Sequence, residues 1–305
     1  MVGTNLYLVI GTLRDDIPEN ADAYFPEVAR EIKAQAEVPL EVSDPLWISA
    51  YKIHHRRVDR FQDHRCFLAG DSAHIHSPAG AQGMNTGIQD AFNLGWKLHM
   101  VLSGGATDLL LKTYNEERLP FAKRLIRTTD RGFQFATSNS PIVRWARLYL
   151  AARIVSILAR MKWFQHLVFR TISQIGIDYR RSSLSSGKFA GLRFELLDAD
   201  GFFHAFMTGE AKSQKKITLL LRRFLGKHVK IHTLANVPDI QNLLHAFGVE
   251  KDGIILIRPD QYVGFVGQGL DTAELSQYLV RHFKLKINDH DKAWNAAFDD
   301  EQLSL

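Results

Sequence analysis

The segment from Arg65 to Leu102 constrains what this chain can fold into more than any other part of the sequence. It begins with a short apolar run, Cys66 to Ala69, of the kind that forms a buried strand, and Gly70-Asp71 ends that run with a carboxylate. A glycine-containing loop follows, and helical spacing then extends from Thr86 to Leu102. Ligands of open α/β sheets bind at the carboxyl ends of strands, so this order predicts a strand, a ligand-binding loop and a helix.

The loop of this segment has a composition suited to a flat ligand. From residue 70 to residue 85 the chain carries three glycines and a proline, so its backbone can approach a ligand closely. Asn85 or Thr86 can cap the helix that follows. Because a helix N-terminus favours negative charge, the loop and the start of the helix are expected to share one ligand.

The same segment resembles the second FAD-binding motif of the flavoprotein aromatic hydroxylases, the family of p-hydroxybenzoate hydroxylase and phenol hydroxylase. The resemblance is carried by Gly-Asp-Ser-Ala-His at 70–74, Pro-Ala-Gly-Ala-Gln-Gly-Met-Asn-Thr-Gly at 78–87 and Asp-Ala-Phe-Asn-Leu-Gly-Trp-Lys-Leu at 90–98. The stretch Tyr-Asn-Glu-Glu-Arg-Leu-Pro at 114–120 also matches a helix that packs under the FAD domain in that family. A motif of this length is far more specific than a lone Gly-x-Gly-x-x-Gly.

The resemblance implies an oxidoreductase that uses FAD as its cofactor and NAD(P)H as its co-substrate. In that family the reduced flavin takes up dioxygen at its C4a carbon, and the resulting hydroperoxide delivers one oxygen atom to a phenol-like ring. The cofactor carries the chemistry, while the protein positions, desolvates and tunes it. The expected partner is therefore an aromatic small molecule, and no catalytic side chain is assigned.

The resemblance also assigns individual residues to the cofactor. Asp71 accepts a hydrogen bond from a ribityl hydroxyl, unless it is a capping aspartate of the kind common in turns. Backbone N–H groups of the first helical residues face the pyrimidine edge of the flavin, where reduced flavin holds negative charge. For Met84, simple core packing is the alternative. The residues predicted to bind FAD are Asp71, Pro78 beside the ring, Gly80, Gly83, Met84 and Asn85.

Histidines in and before this segment are predicted to have structural roles. His74 and His76 stand at positions that orient the loop in the family. The basic cluster His54 to Arg57 is interpreted as a solvated strand end rather than a metal or phosphate site. No acidic or cysteine partner lies at ligand spacing from it, so no metal site is predicted.

Two long helices are predicted after the loop. The first ends at Ser103-Gly104-Gly105, and the second runs from Leu109 to Asp130 with Asp108 as its cap and a kink at Pro120. Arg118 is expected to be a structural ion-pair partner. The apolar stripe that should bury the first helix comprises Ile88, Ala91, Phe92, Gly95, Leu98 and Leu102.

The first two parts of the predicted α/β fold form a partial FAD-binding hydroxylase fold. Residues 1–60, with strands at 5–13 and 46–53 and a helix at 22–35, resemble a remnant of the substrate-domain sheet. Residues 61–180 resemble the C-terminal part of the FAD-binding domain with its long helices. The Rossmann-like sheet and the substrate sheet would both be incomplete.

The third part is predicted to be a thioredoxin-like α/β domain at 188–305, after a polar linker at 181–187. Strands are predicted at 217–222 and 253–258, with a helix at 240–247 between them. The redox cysteines of thioredoxin are absent, so dithiol chemistry is excluded. The expected role is packing or oligomerisation, for which a homodimer is the simplest form.

Composition restricts the partners and the compartment. A net charge of +5 with 23% charged residues of both signs is interpreted as a solvated surface, so no nucleic acid partner is expected. The single cysteine excludes an intrachain disulfide and favours a reducing compartment, the cytoplasm. Between residues 142 and 172, arginines interrupt every window long enough for a membrane span. An ordinary packed helix whose arginines reach the solvent is favoured over an amphipathic helix on a membrane surface, so no membrane partner is expected.

One departure from the family bears on the cofactor. Members open with Gly-x-Gly-x-x-Gly for the ADP half of FAD and later carry an Asp-Gly motif that contacts both nucleotides. Gly264, Gly267 and Gly269 lack the order and the strand-to-helix context of the first motif. The chain as written is therefore expected to hold FAD weakly or not at all. Two functions remain: an aromatic monooxygenase, or a truncated, non-catalytic interaction or oligomerisation protein.

Overall fold

The computed structural model describes residues 25–35, 46, 56–75, 82–138, 140–194, 200–233, 240–249 and 251–285. The chain divides into two compact units, Met1–His54 and His55–Leu305. The first unit contains helix α1, Phe25–Gln35, which confirms the helix predicted there. The strand predicted at 5–13, and the one at 46–53 apart from Leu46, lie outside the described residues.

The second unit begins with four short antiparallel strands. β1 (Arg56–Arg57) pairs with β4 (His74–Ile75), and β2 (Gln62–Asp63) pairs with β3 (Cys66–Phe67). The buried strand predicted over Cys66 to Ala69 is wrong, because β3 has two residues and Cys66 is exposed. An apolar run this short carries no periodicity, and here it forms one arm of a surface hairpin.

Helices dominate the middle of the second unit. They are α2 (Gly83–Leu102), α3 (Leu109–Thr137), α4 (Pro141–Trp145), a π-helical segment (Ala146–Ala151), α5 (Ala152–Leu158) and α6 (Lys162–Ile172). The predicted stop at Ser103 is confirmed, and α3 begins where predicted but continues through Pro120 as far as Thr137. Asp108 occupies the N-cap position of α3, yet its side chain makes no capping hydrogen bond.

The apolar stripe predicted to bury α2 is wrong. Ile88 is 57% exposed, Phe92 46% and Leu102 82%. The buried face of α2 instead combines four polar residues with two apolar ones. It comprises Thr86, Asp90, Asn93, Leu94, Lys97 and Met100, which follow the helical period. The burial of α2 therefore follows ion pairing more than hydrophobicity, as the site geometry below explains.

A four-stranded mixed sheet forms the C-terminal part of the unit. Its strands are β5 (Phe203–Thr208), β6 (Val229–His232), β7 (Gly253–Ile257) and β8 (Val263–Gln268), in the order β6-β5-β7-β8. β5 and β6 are parallel, and β7 is antiparallel to β5 and to β8. Its helices are α7 (Ala211–Leu225), α8 (Ile240–Ala246) and α9 (Thr272–His282).

The sequence predictions for this part are confirmed at β7 and α8, whereas the strand predicted at 217–222 is wrong. That stretch lies inside α7. Ile217, Leu221, Phe224 and Leu225 are buried at spacings of four, three and one, which place them on one face of a helix. Residues 217–221 form a short, mostly apolar run, and a run of this length does not distinguish a strand from a helix.

The core has one cluster on each face of this sheet. The larger cluster includes residues of α7 and α9 and extends to Met100 of α2, Leu110 of α3 and Ala106 in the connection between these two helices. The smaller one lies under α8 and includes Phe206, Leu244 and Ile255. The larger cluster thus joins the ends of the long helices to the sheet, while a separate cluster lies between those helices and the short strands. That cluster comprises Phe61, Ala73, Leu94, Leu111, Tyr114 and Ala122.

The segment 181–187, predicted to be a linker, packs along the sheet. Leu184 is fully buried, the Ser186 amide donates to the carbonyl of Gly264 at 2.9 Å, and the Val266 amide donates to the carbonyl of Ser186 at 2.9 Å. The backbone of Ser186 therefore hydrogen-bonds along the edge of β8, and the segment is packed against the rest of the unit.

Helices α4 to α6 carry many exposed apolar side chains among their arginines. Among the described residues, no helix combines the length and the apolarity needed to cross a bilayer. The most exposed large side chains of this stretch are Ile142, Trp145, Tyr149, Ile157, Trp163, Leu167 and Phe169.

Candidate functional site

A tight 3-10 turn, Gly70–Ser72, packs directly on helix α2. Gly70 has φ +59°, a left-handed conformation that favours glycine. A Cβ atom added to Gly87 of α2 would lie 3.3 Å from the Cα atom of Gly70. The two glycines therefore allow the turn and the helix to approach each other more closely than side chains would permit.

Asp71 lies at the middle of this turn with its side chain exposed. Within the part of the chain that the structure describes, its carboxylate forms no hydrogen bond or ion pair. The N-cap position of the turn belongs to Ala69, so the capping alternative for Asp71 finds no support. The carboxylate is thus available to a ligand on the outside of the turn.

The N-terminus of α2 presents the other predicted residues. Gly83, Met84 and Asn85 form its first turn, and the hydrogen-bond ladder begins when the Thr86 amide donates to the Gln82 carbonyl at 3.0 Å. The amides of the three preceding residues have no acceptor among the described residues, as is usual for a helix N-terminus. Gln82 occupies the N-cap position, so the caps predicted at Asn85 or Thr86 are wrong.

The side chain of Met84 distinguishes between the two interpretations of that residue. Met84 is 76% exposed, which contradicts the core-packing alternative for its side chain. Pro78, Gly80 and His76 lie outside the described residues. The structure therefore places Asp71 in a turn that packs on α2, and Gly83, Met84 and Asn85 in the first turn of that helix.

A buried carboxylate, Asp90 of α2, fixes the turn to the helix. It accepts hydrogen bonds from the Gly70 amide at 3.1 Å and from Arg118 Nε at 2.5 Å, and its Oδ2 lies 2.7 Å from His74 Nε2. Burial alone would raise the pKa of Asp90, but its bond to His74 and the charge of Arg118 hold that pKa below the usual range. His74 thus binds α2 through Asp90, and its predicted role in orienting the loop stays a prediction.

Arg118 of α3 is fully buried and ties Asp90 to the start of α2. Its Nη2 donates to the Thr86 carbonyl at 3.2 Å, and its Nη1 donates to the Tyr179 hydroxyl at 3.0 Å. The predicted ion-pair role of Arg118 is confirmed. The sequence analysis missed its partner Asp90, although that residue belongs to the quoted motif and lies one helical turn after Thr86.

A second set of buried charges, here called the Glu117 cluster, lies one to two turns farther along α2. Glu117 accepts from Lys97 Nζ at 2.7 Å, from Asn93 Nδ2 at 2.7 Å, and from both Nη atoms of Arg258 at 2.6 and 2.9 Å. Arg258 also binds Asp260. The cluster comprises Asn93, Trp96, Lys97, Glu117, Ser182, Arg258 and Asp260.

Burial and mutual attraction oppose each other in this cluster. Burial lowers the pKa of Lys97 to about 8, although the Glu117 carboxylate opposes that shift. Burial would raise the pKa of Glu117, but the charges of Arg258 and Lys97 outweigh it and hold that pKa well below its usual range. Glu117 is therefore ionised, and the cluster is a network of paired charges in a dry environment.

The arrangement can hold and orient a ligand. Among the described residues, the exposed groups at the site include the Asp71 carboxylate and the first backbone amides of α2, while Asp90, Arg118, Lys97 and Glu117 are buried and paired. In the described ranges no three histidine, cysteine, aspartate or glutamate side chains come together as a metal site. The residues fit a ligand with hydroxyl groups to donate to Asp71 and an electron-rich edge to meet the amides, and FAD has both.

Comparison with known proteins agrees with this geometry. Residues 2–129 match the family model described as FAD binding domain. The rifampicin monooxygenase of Rhodococcus hoagii is 44% identical over 264 residues, which are 86% of this chain and 51% of that protein. The 6-methylpretetramide 4-monooxygenase of Streptomyces rimosus is 29% identical over 269 residues, 79% of this chain and 48% of that protein. The chain is a homologue of the aromatic-ring flavin monooxygenases.

Solved structures give the same relationship. CabE, an aromatic hydroxylase from angucycline biosynthesis, is 28% identical with a TM-score of 0.64, over 89% of this chain and 54% of that one. The anhydrotetracycline hydroxylase OxyS of Streptomyces rimosus is 26% identical with a TM-score of 0.64, over 85% and 52%. The chain spans about half the length of these relatives. None of them is named as a non-catalytic protein, so the second function kept open by the sequence gains no support here.

Proposed function

We propose that this chain contributes the flavin-ring half of the cofactor site in an FAD-dependent monooxygenase that hydroxylates an aromatic substrate. The observations that carry the proposal are the exposed Asp71 carboxylate, in a turn that packs on α2, and the first amides of α2, which have no acceptor among the described residues. The buried Asp90–Arg118 pair holds the turn on the helix. The names of the relatives support the same reaction class.

In this proposal each residue has a binding role. Asp71 accepts a hydrogen bond from a ribityl hydroxyl, and a bond to a charged acceptor is stronger than a neutral one. The amides of Gly83, Met84 and Asn85 face the pyrimidine edge, where the N-terminus of α2 stabilises negative charge. Pro78 and Gly80 are proposed to line the ring. When bound, the cofactor accepts a hydride from NAD(P)H and activates dioxygen for transfer of one oxygen atom to the substrate ring.

The finer features of the sequence analysis belong to the same proposal. The mixed sheet of β5 to β8 with α7 to α9 is consistent with a thioredoxin-like domain, in a chain whose one cysteine is elsewhere, at position 66. Residues 1–60 are proposed as part of the substrate domain and residues 61–180 as part of the FAD domain. A cytoplasmic location and a homodimer remain predictions.

The proposal is tested by the Asp71→Ala variant of the protein purified from its complete reading frame. Because a hydrogen bond to a charged group contributes about 1.5–3 kcal/mol, the Kd for FAD should rise by roughly ten- to a hundredfold. Flavin fluorescence titration measures that Kd, and circular dichroism shows whether the fold is intact.

Asp63→Ala is the matched control, since Asp63 is another exposed acid on the hairpin before the turn. Its Kd for FAD should equal that of the wild-type protein. Equal FAD retention by Asp71→Ala and the wild type would contradict the assignment of Asp71 to the ribityl chain.

A further inference from the structure

We propose that Arg258 and Asp260 are positioning residues through which the C-terminal sheet fixes helix α2 in the proposed flavin site. The inference rests on the proposed function for the role of α2, whereas the contacts themselves do not. Both residues lie in the turn between β7 and β8, more than 140 positions along the chain from the helices that they bind. The turn is closed by hydrogen bonds between Arg258 and the backbone of Gln261 and Tyr262.

The turn holds α3 through Arg258. The two Nη atoms of Arg258 donate in parallel to the two carboxylate oxygens of Glu117, at 2.6 and 2.9 Å. This two-point geometry fixes the orientation of both groups as well as their distance, which a lysine could not do. Glu117 also accepts hydrogen bonds from Asn93 and Lys97 of α2. The position of the β7–β8 turn therefore constrains the position of α2 through Glu117.

The turn also binds α2 directly through Asp260. Its Oδ2 accepts from Asn93 Nδ2 at 3.2 Å and from Trp96 Nε1 at 3.0 Å. The direct and the indirect contacts therefore meet on the same face of α2, on the two turns that follow Asp90. A shift of α2 by one residue would separate these donors and acceptors together.

A tyrosine joins this cluster to the contacts at the site itself. The Tyr179 hydroxyl accepts from Arg118, which holds Asp90 and the Thr86 carbonyl. The ring of Tyr179 lies 4.1 Å from the ring of Tyr262, centroid to centroid, and the guanidinium of Arg258 lies over both rings. Displacement of the β7–β8 turn would therefore disturb both the Glu117 cluster and the contacts of Arg118 with Asp90.

The burial of these charges indicates that they fix the position of α2 and do more than hold the sheet and the helices together. Lys97, Glu117 and Arg258 are fully buried, and buried ion pairs contribute little net stability because desolvation offsets their attraction. They are satisfied only when donors and acceptors meet in one arrangement. The hydrophobic core shared by the two parts already supplies adhesion, so the cluster sets which register α2 adopts.

The test compares amide hydrogen exchange in the full protein carrying Arg258→Gln, Arg258→Lys or Leu244→Ala. Leu244 is the control because it is buried on the opposite face of the sheet, in the cluster under α8. In Arg258→Gln, exchange should rise about tenfold in peptides from 70–75 and 83–97 while β5 to β8 stay protected. Leu244→Ala should raise exchange in α8 and the sheet and leave those two peptides unchanged.

Variants with faster amide hydrogen exchange at 83–97 should also bind FAD more weakly. Arg258→Gln should raise the Kd for FAD about tenfold, Arg258→Lys should lie between it and the wild type, and Leu244→Ala should equal the wild type. If Arg258→Gln does not fold, Arg258→Lys and Trp96→Phe decide. Trp96→Phe removes the indole donor to Asp260 and should raise exchange in 83–97.

Two results would overturn the proposal. One is unchanged exchange at 83–97 in the folded Arg258 and Trp96 variants. The other is an equal rise there in Leu244→Ala, which would show general destabilisation of the unit. If the wild-type protein binds no FAD, the proposed function fails, but the exchange measurements still decide whether Arg258 positions α2.

Discussion

At the scale of single residues, the site is organised by buried charges that pair with one another. Asp90 satisfies a turn amide, an arginine and a histidine at once, and each of those partners belongs to a different segment. Breaking such a buried pair leaves an uncompensated charge, which typically costs about 3–5 kcal/mol. Asp71, by contrast, is exposed and can change without cost to the fold.

The stability of the protein should report the state of Asp90 through its pH dependence. The pKa of Asp90 is lowered in the folded protein from its ordinary value of 3.8. Its contribution is therefore complete above about pH 5 and is lost as the pH falls through 3.8 towards the folded pKa, because the unfolded chain binds the proton first. Urea unfolding of Asp90→Asn should show a loss of about 3–5 kcal/mol at pH 7 and a shallower decline below about pH 5.

Asp63→Asn serves as the control for that measurement, since Asp63 is an exposed acid in the same unit. It should keep both the stability at pH 7 and the steep acid decline. An Asp90→Asn protein with the same decline as the wild type would show that Asp90 has no lowered pKa. A residual decline is expected, because the pKa of Glu117 is also lowered.

At the scale of elements, α2 shows why periodicity alone gave the wrong buried face. Its apolar residues Ile88 and Phe92 follow a helical stripe, but they are exposed, whereas Asp90 and Lys97 are buried. The helix was predicted correctly because periodicity reports the type of element well. Its orientation depends on partners such as Glu117 and Arg258, which lie far away in the sequence and give no local signal.

The close approach of the 70–72 turn to α2 can be tested with two glycines of the same helix. Gly87→Ala gains helix propensity of about 0.5–1 kcal/mol, but its Cβ would lie 3.3 Å from the Gly70 Cα, so the turn must move by a few tenths of an ångström. Thermal unfolding should show almost no change in stability, while flavin fluorescence should show weaker FAD binding.

Gly95→Ala supplies the matched control, because a Cβ added to Gly95 meets no atom within 4 Å. It should stabilise the protein by about 0.5–1 kcal/mol and leave FAD affinity unchanged. If Gly87→Ala gave the same stabilisation and the same affinity, the contact between Gly70 and Gly87 would not be needed for the site.

At the scale of the whole molecule, features encoded within a short stretch of sequence could be predicted, whereas contacts between distant segments could not. The motif at 70–98 carried the resemblance to the flavin monooxygenases, and local periodicity predicted α2 and α3, because both signals lie within a short stretch of sequence. The packing of the C-terminal sheet against those helices was not predicted. It depends on Leu184 and on the Glu117 cluster, whose members come from four separate segments.

The packing of the C-terminal sheet against the long helices changes the expected role of the C-terminal part. The sequence suggested an appended domain behind a polar linker, whereas residues 55–305 form one compact unit with a shared core. A segment that looks like a linker because it is rich in serine can be packed when each serine finds a partner, as Ser182 does at Glu117. The C-terminal sheet is therefore expected to matter for cofactor binding although it contains none of the predicted FAD residues.

The assignment of residues 70–87 to the flavin is tested most directly by the visible absorbance of the protein purified from its complete reading frame. We predict a flavin band near that of bound FAD, its loss on dialysis from Asp71→Ala but not from Asp63→Ala, and oxidation of NAD(P)H that a phenolic compound stimulates. A folded, colourless wild-type protein that fails to bind added FAD would contradict the assignment.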